Sequence, residues 1–159
     1  MNAAELSRRT ILKAAALAGA FGLVKPDRAN ASVLTSDGSW FDLAMFTARS
    51  LGSEGRITWF SADWGQVIEN RKRGGELPAD YAPHPSAWYA AVYDRTWLGD
   101  RLIVVNPETR RYVVADIIDV HSNPNAVGDL STEAFEELGV PRSSGVQTAW
   151  VFRVPTGGD

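Results

Sequence analysis

The chain has 159 residues, 45% hydrophobic and 22% charged, which is the size of one ordinary domain with the composition of a soluble globular protein. Sixteen basic against 19 acidic residues give a net charge of −3 and a pI near 5.4, so the chain lacks the basic surface that meets nucleic-acid phosphates. The absence of cysteine excludes disulfide scaffolds, Cys-ligated zinc, iron–sulfur clusters and thiol chemistry.

Residues 1–31 read as an export signal. Ser7-Arg8-Arg9-Thr10-Ile11-Leu12-Lys13 is a basic head, Ala14 to Val24 an apolar run, and Ala29-Asn30-Ala31 a small-x-small cleavage site. The run falls short of the ~20 residues that span a bilayer, and it has no polar face to suit a surface helix. The pair Arg8-Arg9 is similar to the head of a twin-arginine signal, which implies export to the periplasm or the exterior and cleavage after Ala31. Cleavage removes five basic and two acidic residues and leaves 11 against 17. The mature chain is then acidic and has no membrane anchor of its own.

Residues 32–55 are expected to form an N-terminal helical extension, with a helix from Ser39 to Leu51 that Ser39 caps and Gly52 stops. Arg56 to Phe60 is a strand by β-branched and aromatic content. From Trp64 to Pro85 the pattern dissolves into Arg71-Lys72-Arg73-Gly74-Gly75 and three prolines, the composition of a long surface loop. Strands return at Trp88–Tyr93, Arg101–Val105 and Arg111–Ile118, the last two joined by the five-residue hairpin loop Asn106–Arg110. Ser131 to Leu138 is a short helix with a Ser N-cap and Gly139 as its stop, and Gln147 to Val154 closes the chain as a strand. Mostly strands with one or two short helices predict a small barrel or sandwich rather than a βαβ array.

From Ile57 onward the order of features resembles the RlpA-like double-psi β-barrel family, which includes rare lipoprotein A and has expansins as relatives. The resemblance is carried by Trp59-Phe60-Ser61-Ala62-Asp63-Trp64-Gly65, Gly75-Glu76, Ala90-Ala91, Leu98-Gly99-Asp100 and the apolar strand ending at Asp119. Its most specific part runs from Asp119 through Asp129-Leu130-Ser131 to Leu138-Gly139-Val140. It implies a six-stranded double-psi β-barrel over residues 56–154. The chain departs from the family where the chemistry lies. The family's Asp-Arg-Gly-Pro is here Asp119-Val120-His121-Ser122, and its histidine after the small pair falls at Val92 or Tyr93.

Asp119 stands where an apolar strand meets a polar turn, so desolvation would raise its pKa and suit a general acid. An aspartate there equally suits a turn in which it accepts backbone N–H bonds. In relatives with lytic transglycosylase activity this aspartate belongs to the cleft that cuts the MurNAc–GlcNAc bond, and the resemblance makes Asp119 and Glu76 the catalytic candidates. Trp59, Trp64, Trp97 and Tyr93 are the candidate sugar-stacking residues, against a core role for the same indoles. Asp116, Asp119 and His121 have a metal-like look. Strand alternation puts the two acids on opposite faces and leaves at most two ligands, so no metal and no cofactor is expected. His84, between two prolines, is a loop histidine that could stand in for the missing one. Two functions are open: an envelope protein that binds peptidoglycan or a related glycan with at most weak cleavage, and a non-catalytic module that binds an envelope protein partner.

Overall fold

The computed structural model describes residues 39–84 and 87–156. The stretch read as an export signal, with Arg8, Arg9 and Ala31, lies outside the described residues. Six strands close into one barrel: β1 (Ser53–Phe60), β2 (Trp88–Val92), β3 (Arg101–Asn106), β4 (Arg111–Val120), β5 (Ala126–Ser131) and β6 (Val146–Val154). Around the barrel their order is β1-β5-β2-β4-β3-β6. The β1–β5 and β2–β4 pairs are parallel and the other four antiparallel, giving the closed, mixed six-stranded barrel that the resemblance implies. Among the described residues, closure leaves no edge strand for another chain to extend.

Alternation sorts each strand into two faces. Ile57, Ala90, Val92, Leu102, Val104, Val113, Ala115, Ile117, Leu130 and Val151 fill the interior. Helix α3 (Thr132–Glu137) plugs it with Phe135, while Leu138 and Val140 follow. Ser131 Oγ caps α3 by accepting from Ala134 N, and Gly139 ends it at φ +76, a conformation that costs glycine little.

Helix α1 (Ser39–Leu51) lies outside the barrel. Its Phe41, Ala44, Met45 and Ala48 build a second core against Ile103, Val105 and Phe152 on the outer face of β3 and β6. Glycine at 52 is required by close approach, because a Cβ there would overlap the Val151 carbonyl oxygen. The helix therefore turns directly into β1, which starts at Ser53 rather than Arg56.

Three further details differ from expectation. The stretch read as a loop begins with helix α2 (Trp64–Arg73), which the Asp63 carboxylate caps by accepting from Gln66 N at 3.0 Å. The sixth strand, β5, lies in Ala126–Ser131, where the sequence shows only the approach to a helix. The β3–β4 loop is four residues, since Asn106 and Arg111 still pair. Among the described residues no helix is long and apolar enough to cross a membrane.

Candidate functional site

The outer face of β1, β5, β2 and β4 collects the polar residues. Register places Thr58 beside Asp129, Asp129 beside Ala91, and Ala91 beside Asp119, one row across four strands. A β-bulge makes the row possible. Between Ala90 and Ala91 of β2, strand β4 passes from Ile117 to Asp119 and so carries one extra residue, Ile118. The bulge overturns the expectation that Asp116 and Asp119 face opposite ways. Tyr89 and Ala91 share one face of β2, and Asp116 pairs with the first as Asp119 pairs with the second.

Helix α2 lies along this face. Trp64, Ile68 and Arg71 recur at i, i+4 and i+7 and form its inner stripe. Trp64 packs edge-on to Phe60 at 4.7 Å and tilted to Tyr89 at 5.6 Å, and Ile68 is buried. Arg71 reaches the acids. Its Nε donates to Asp119 Oδ1 at 2.9 Å, Nη2 donates to the same oxygen, and Nη1 donates to Glu76 Oε2. Glu76 also accepts from Arg95 Nη1. One guanidinium thus bridges the two carboxylates expected to do chemistry.

This geometry changes the reading of both. Asp119 does not face apolar walls: its Oδ1 accepts from Arg71 and from its own turn's Val120 N at 2.9 Å. The hydrogen bond from Arg71 holds the Glu76 carboxyl below the usual carboxylate range, against a partial opposing effect of burial. A carboxyl so held does not donate a proton at neutral pH.

A third acid in the row has the opposite environment. Asp129 is half-buried, and burial pushes its carboxyl above the usual range while the nearby His121 partly offsets this. Its side chain has no hydrogen-bond partner among the described residues. His121 N donates to Val92 O at 3.0 Å, and His121 Nδ1 accepts from Asn123 N at 3.2 Å. That bond puts the imidazole proton on Nε2 in the neutral ring, and Nε2 is buried without a partner. Tyr93, 58% exposed, stands 6.4 Å from the imidazole. Asp129 and His121 are a pair that sequence reasoning misses as a site, because in the sequence Asp129 is only the first residue of a motif leading into a helix.

The predicted aromatic residues divide. Trp64 and Tyr93 are on this outer face. Trp59 packs against the barrel interior with its Nε1 donating to Arg142 O at 3.1 Å, so it closes one barrel end rather than standing free for a sugar. Trp97 sits in a 3₁₀ turn (Arg95–Trp97), against the interior and under the Arg153 guanidinium, which is 5.6 Å from the ring. No group of three or more potential metal ligands is found among the described residues. Asp116 and Asp119, though on one face, are each engaged by a different arginine.

No family model matches the sequence, and no curated protein is similar to it. Among solved structures, the apo expansin of Clavibacter michiganensis is similar at 23% identity and a TM-score of 0.49, over 69% of this chain and 53% of that one. A point mutant of the same expansin in complex with cellohexaose gives 20% identity and 0.47 over the same shares. Cerato-platanin 3 from M. perniciosa gives 15% and 0.49, over 65% of this chain and 95% of that one. The chain spans about half the length of the two expansin structures.

Proposed function

We propose that the outer face of β1, β5, β2 and β4 binds a cell-wall glycan, and that the protein is exported by the twin-arginine route to meet it in the envelope. The observation that carries this reading is the row of Thr58, Asp129 and Asp119 flanked by Trp64 on one side and by Tyr93 and His121 on the other. Sugars present hydroxyls that need polar partners and C–H faces that stack on aromatic rings, and a surface combining both suits them. Peptidoglycan is the glycan proposed, following the RlpA-like resemblance.

Binding exceeds cutting in this account. Cleaving a glycosidic bond requires a carboxyl that protonates the leaving oxygen, and Arg71 occupies both acids that the family pattern supplies. Burial favours the protonated form of two acids on this face, Asp129 and Asp116, and of these Asp116 is already held by Arg101 and by the His84 N–H. Any residual cleavage therefore depends on Asp129, with His121 beside it, and not on Asp119. Mature protein mixed with purified sacculi should sediment with them and release little soluble anhydro-muropeptide. The small release that occurs should be lost in Asp129→Asn and kept in Asp119→Asn. Turnover abolished by Asp119→Asn alone would reverse the assignment.

A further inference from the structure

Beside the row of Thr58, Asp129 and Asp119 the register sets a second line of side chains. Strand β1 runs parallel to β5, β5 antiparallel to β2, and β2 parallel to β4. One side of the row therefore carries Arg56, two before Thr58, with Tyr93, two after Ala91, and His121, two after Asp119. Alternation turns Arg56 to the same face as Thr58, and Arg56 is exposed. Strand β5 has an extra residue here, Val127, since Arg56 pairs with Ala126 and Ile57 with Gly128. Bulges of this kind re-aim side chains at barrel rims. Tyr93 is exposed, and its ring stands 6.4 Å from the imidazole of His121. Arg56 and Tyr93 are two strands apart, which across inter-strand steps of ~4.8 Å is roughly 10 Å, about the span of a disaccharide.

Arg56 differs from the other arginines near this face. Arg71 and Arg95 are bound to Asp119 and Glu76, whereas Arg56 has no hydrogen-bond, ion-pair or ring partner among the described residues. All its N–H donors are open to a ligand, and its planar fork matches a carboxylate through two parallel bonds. The surrounding charge limits the anion. Glu54, two residues earlier on the same face of β1, Asp94 next to Tyr93, and Asp129 in the row are all acids. One guanidinium among them balances a single negative charge and not a doubly charged phosphate. Tyr93 supplies a ring on which the C–H face of a sugar stacks. The pair fits a sugar that carries a carboxylate.

We propose that Arg56 and Tyr93 form an acidic-sugar subsite on the outer face, in which a ring stacks on Tyr93 and a carboxylate of that sugar, or of the next one along, pairs with Arg56. The proposal rests on the reading of this face as glycan-binding and names the class it prefers, a glycan bearing carboxylates over a neutral chain. The same guanidinium serves a carboxylate on the ring, as in a uronic acid, or one on a peptide stem, as in peptidoglycan.

The test is calorimetric titration of the mature protein with three soluble glycans, beside co-sedimentation with sacculi. Chitotetraose is neutral, tetragalacturonate has carboxylates on its rings, and a GlcNAc–MurNAc tetrapeptide has them on its stem. Wild type should bind at least one acidic glycan about tenfold or more tighter than chitotetraose, as a charge-assisted pair would give, and added salt should shrink that advantage. General attraction does not produce this preference, because the mature chain is itself acidic. Arg56→Gln should remove the advantage and Arg56→Lys should keep part of it. Arg49→Gln, an equal loss of charge on α1, should leave it at the wild-type value, while Tyr93→Ala should weaken all three glycans. A preference confined to tetragalacturonate assigns the carboxylate to the ring, and one confined to the muropeptide assigns it to the stem. The proposal is overturned by equal affinity for all three, by a preference that survives Arg56→Gln or falls as far in Arg49→Gln, or by affinities that ignore Tyr93→Ala. Wild type retained on sacculi without the preference defeats this subsite and leaves the outer-face reading standing. Wild type that binds no soluble glycan and stays off sacculi defeats both.

Discussion

Replacing Phe135 with alanine probes whether α3 holds the face-bearing strand in place. The helix has six residues, too few to persist without tertiary support, and Phe135 is fully buried in the barrel interior with Leu130 of β5 and Ile57 of β1. An aromatic side chain buries roughly 150–250 Å², which at about 25 cal/mol per Å² corresponds to roughly 4–6 kcal/mol before the site relaxes. Core Phe→Ala replacements fall at about 3–5 kcal/mol, so that is the expected loss. In a barrel of this size it lowers the melting temperature by roughly 10–25 °C. Denaturant unfolding followed by tryptophan fluorescence reads it, because Trp59 and Trp88 pack against the same core. Phe135→Leu, which keeps most of the volume, should cost under ~1.5 kcal/mol. A loss below ~1 kcal/mol for Phe135→Ala, well under the usual cost of emptying a core site, would show that α3 is peripheral and that β5, with Asp129 on it, is held by strand pairing alone.

Arg71→Gln should free the C-terminal end of α2 from the barrel. Trypsin should then cleave after Lys72 and Arg73 several-fold faster than in wild type, and unchanged cleavage would mean that the bridge to Asp119 and Glu76 does not hold the helix. Asp129→Asn should alter the pH dependence of stability in a defined direction. Burial raises the folded carboxyl above its unfolded value, so wild type loses stability as pH rises through the folded pKa, and the asparagine variant escapes that loss. Equilibrium unfolding should find the variant more stable at neutral pH, with the difference vanishing below the ordinary aspartate range near ~3.9. Lysines at both Arg8 and Arg9 should trap the uncleaved precursor in the cytoplasm, which fractionation and blotting would read, and normal export would exclude the twin-arginine route.

What the sequence displays and what it hides follow from the same physics. Strands β3, β4 and β6 carry dense β-branched residues and are visible with ends within two residues of those observed. Strand β5 is not, because Ala126-Val127-Gly128-Asp129 has neither alternation nor bulk, and it becomes a strand by pairing with β1 and β2. Helix α2 is hidden by the glycines and prolines that follow it. It is polar, with Ile68 as its buried residue, and its visible signals are the Asp63 cap and the basic last turn. The bulge at Ile118 has no local signature, yet it decides which way Asp119 points. The site is half legible for that reason. Asp119 and Glu76 can be matched to a pattern, whereas Arg71, 48 positions from Asp119 along the chain, is joined to it only by the fold.

The central claim is that the face carrying Trp64 and Asp129 binds cell-wall glycan. Its most direct measurement is the retention of mature protein on purified sacculi, with Trp64→Ala compared against Trp97→Ala after both are shown to be folded. Stacking of a sugar on the Trp64 side of the face predicts retention by wild type, a loss of about tenfold for Trp64→Ala, consistent with the ~1.4 kcal/mol that a tenfold change represents, and a few-fold change at most for Trp97→Ala. Wild type that stays in the supernatant, or two variants that behave alike, would contradict the account.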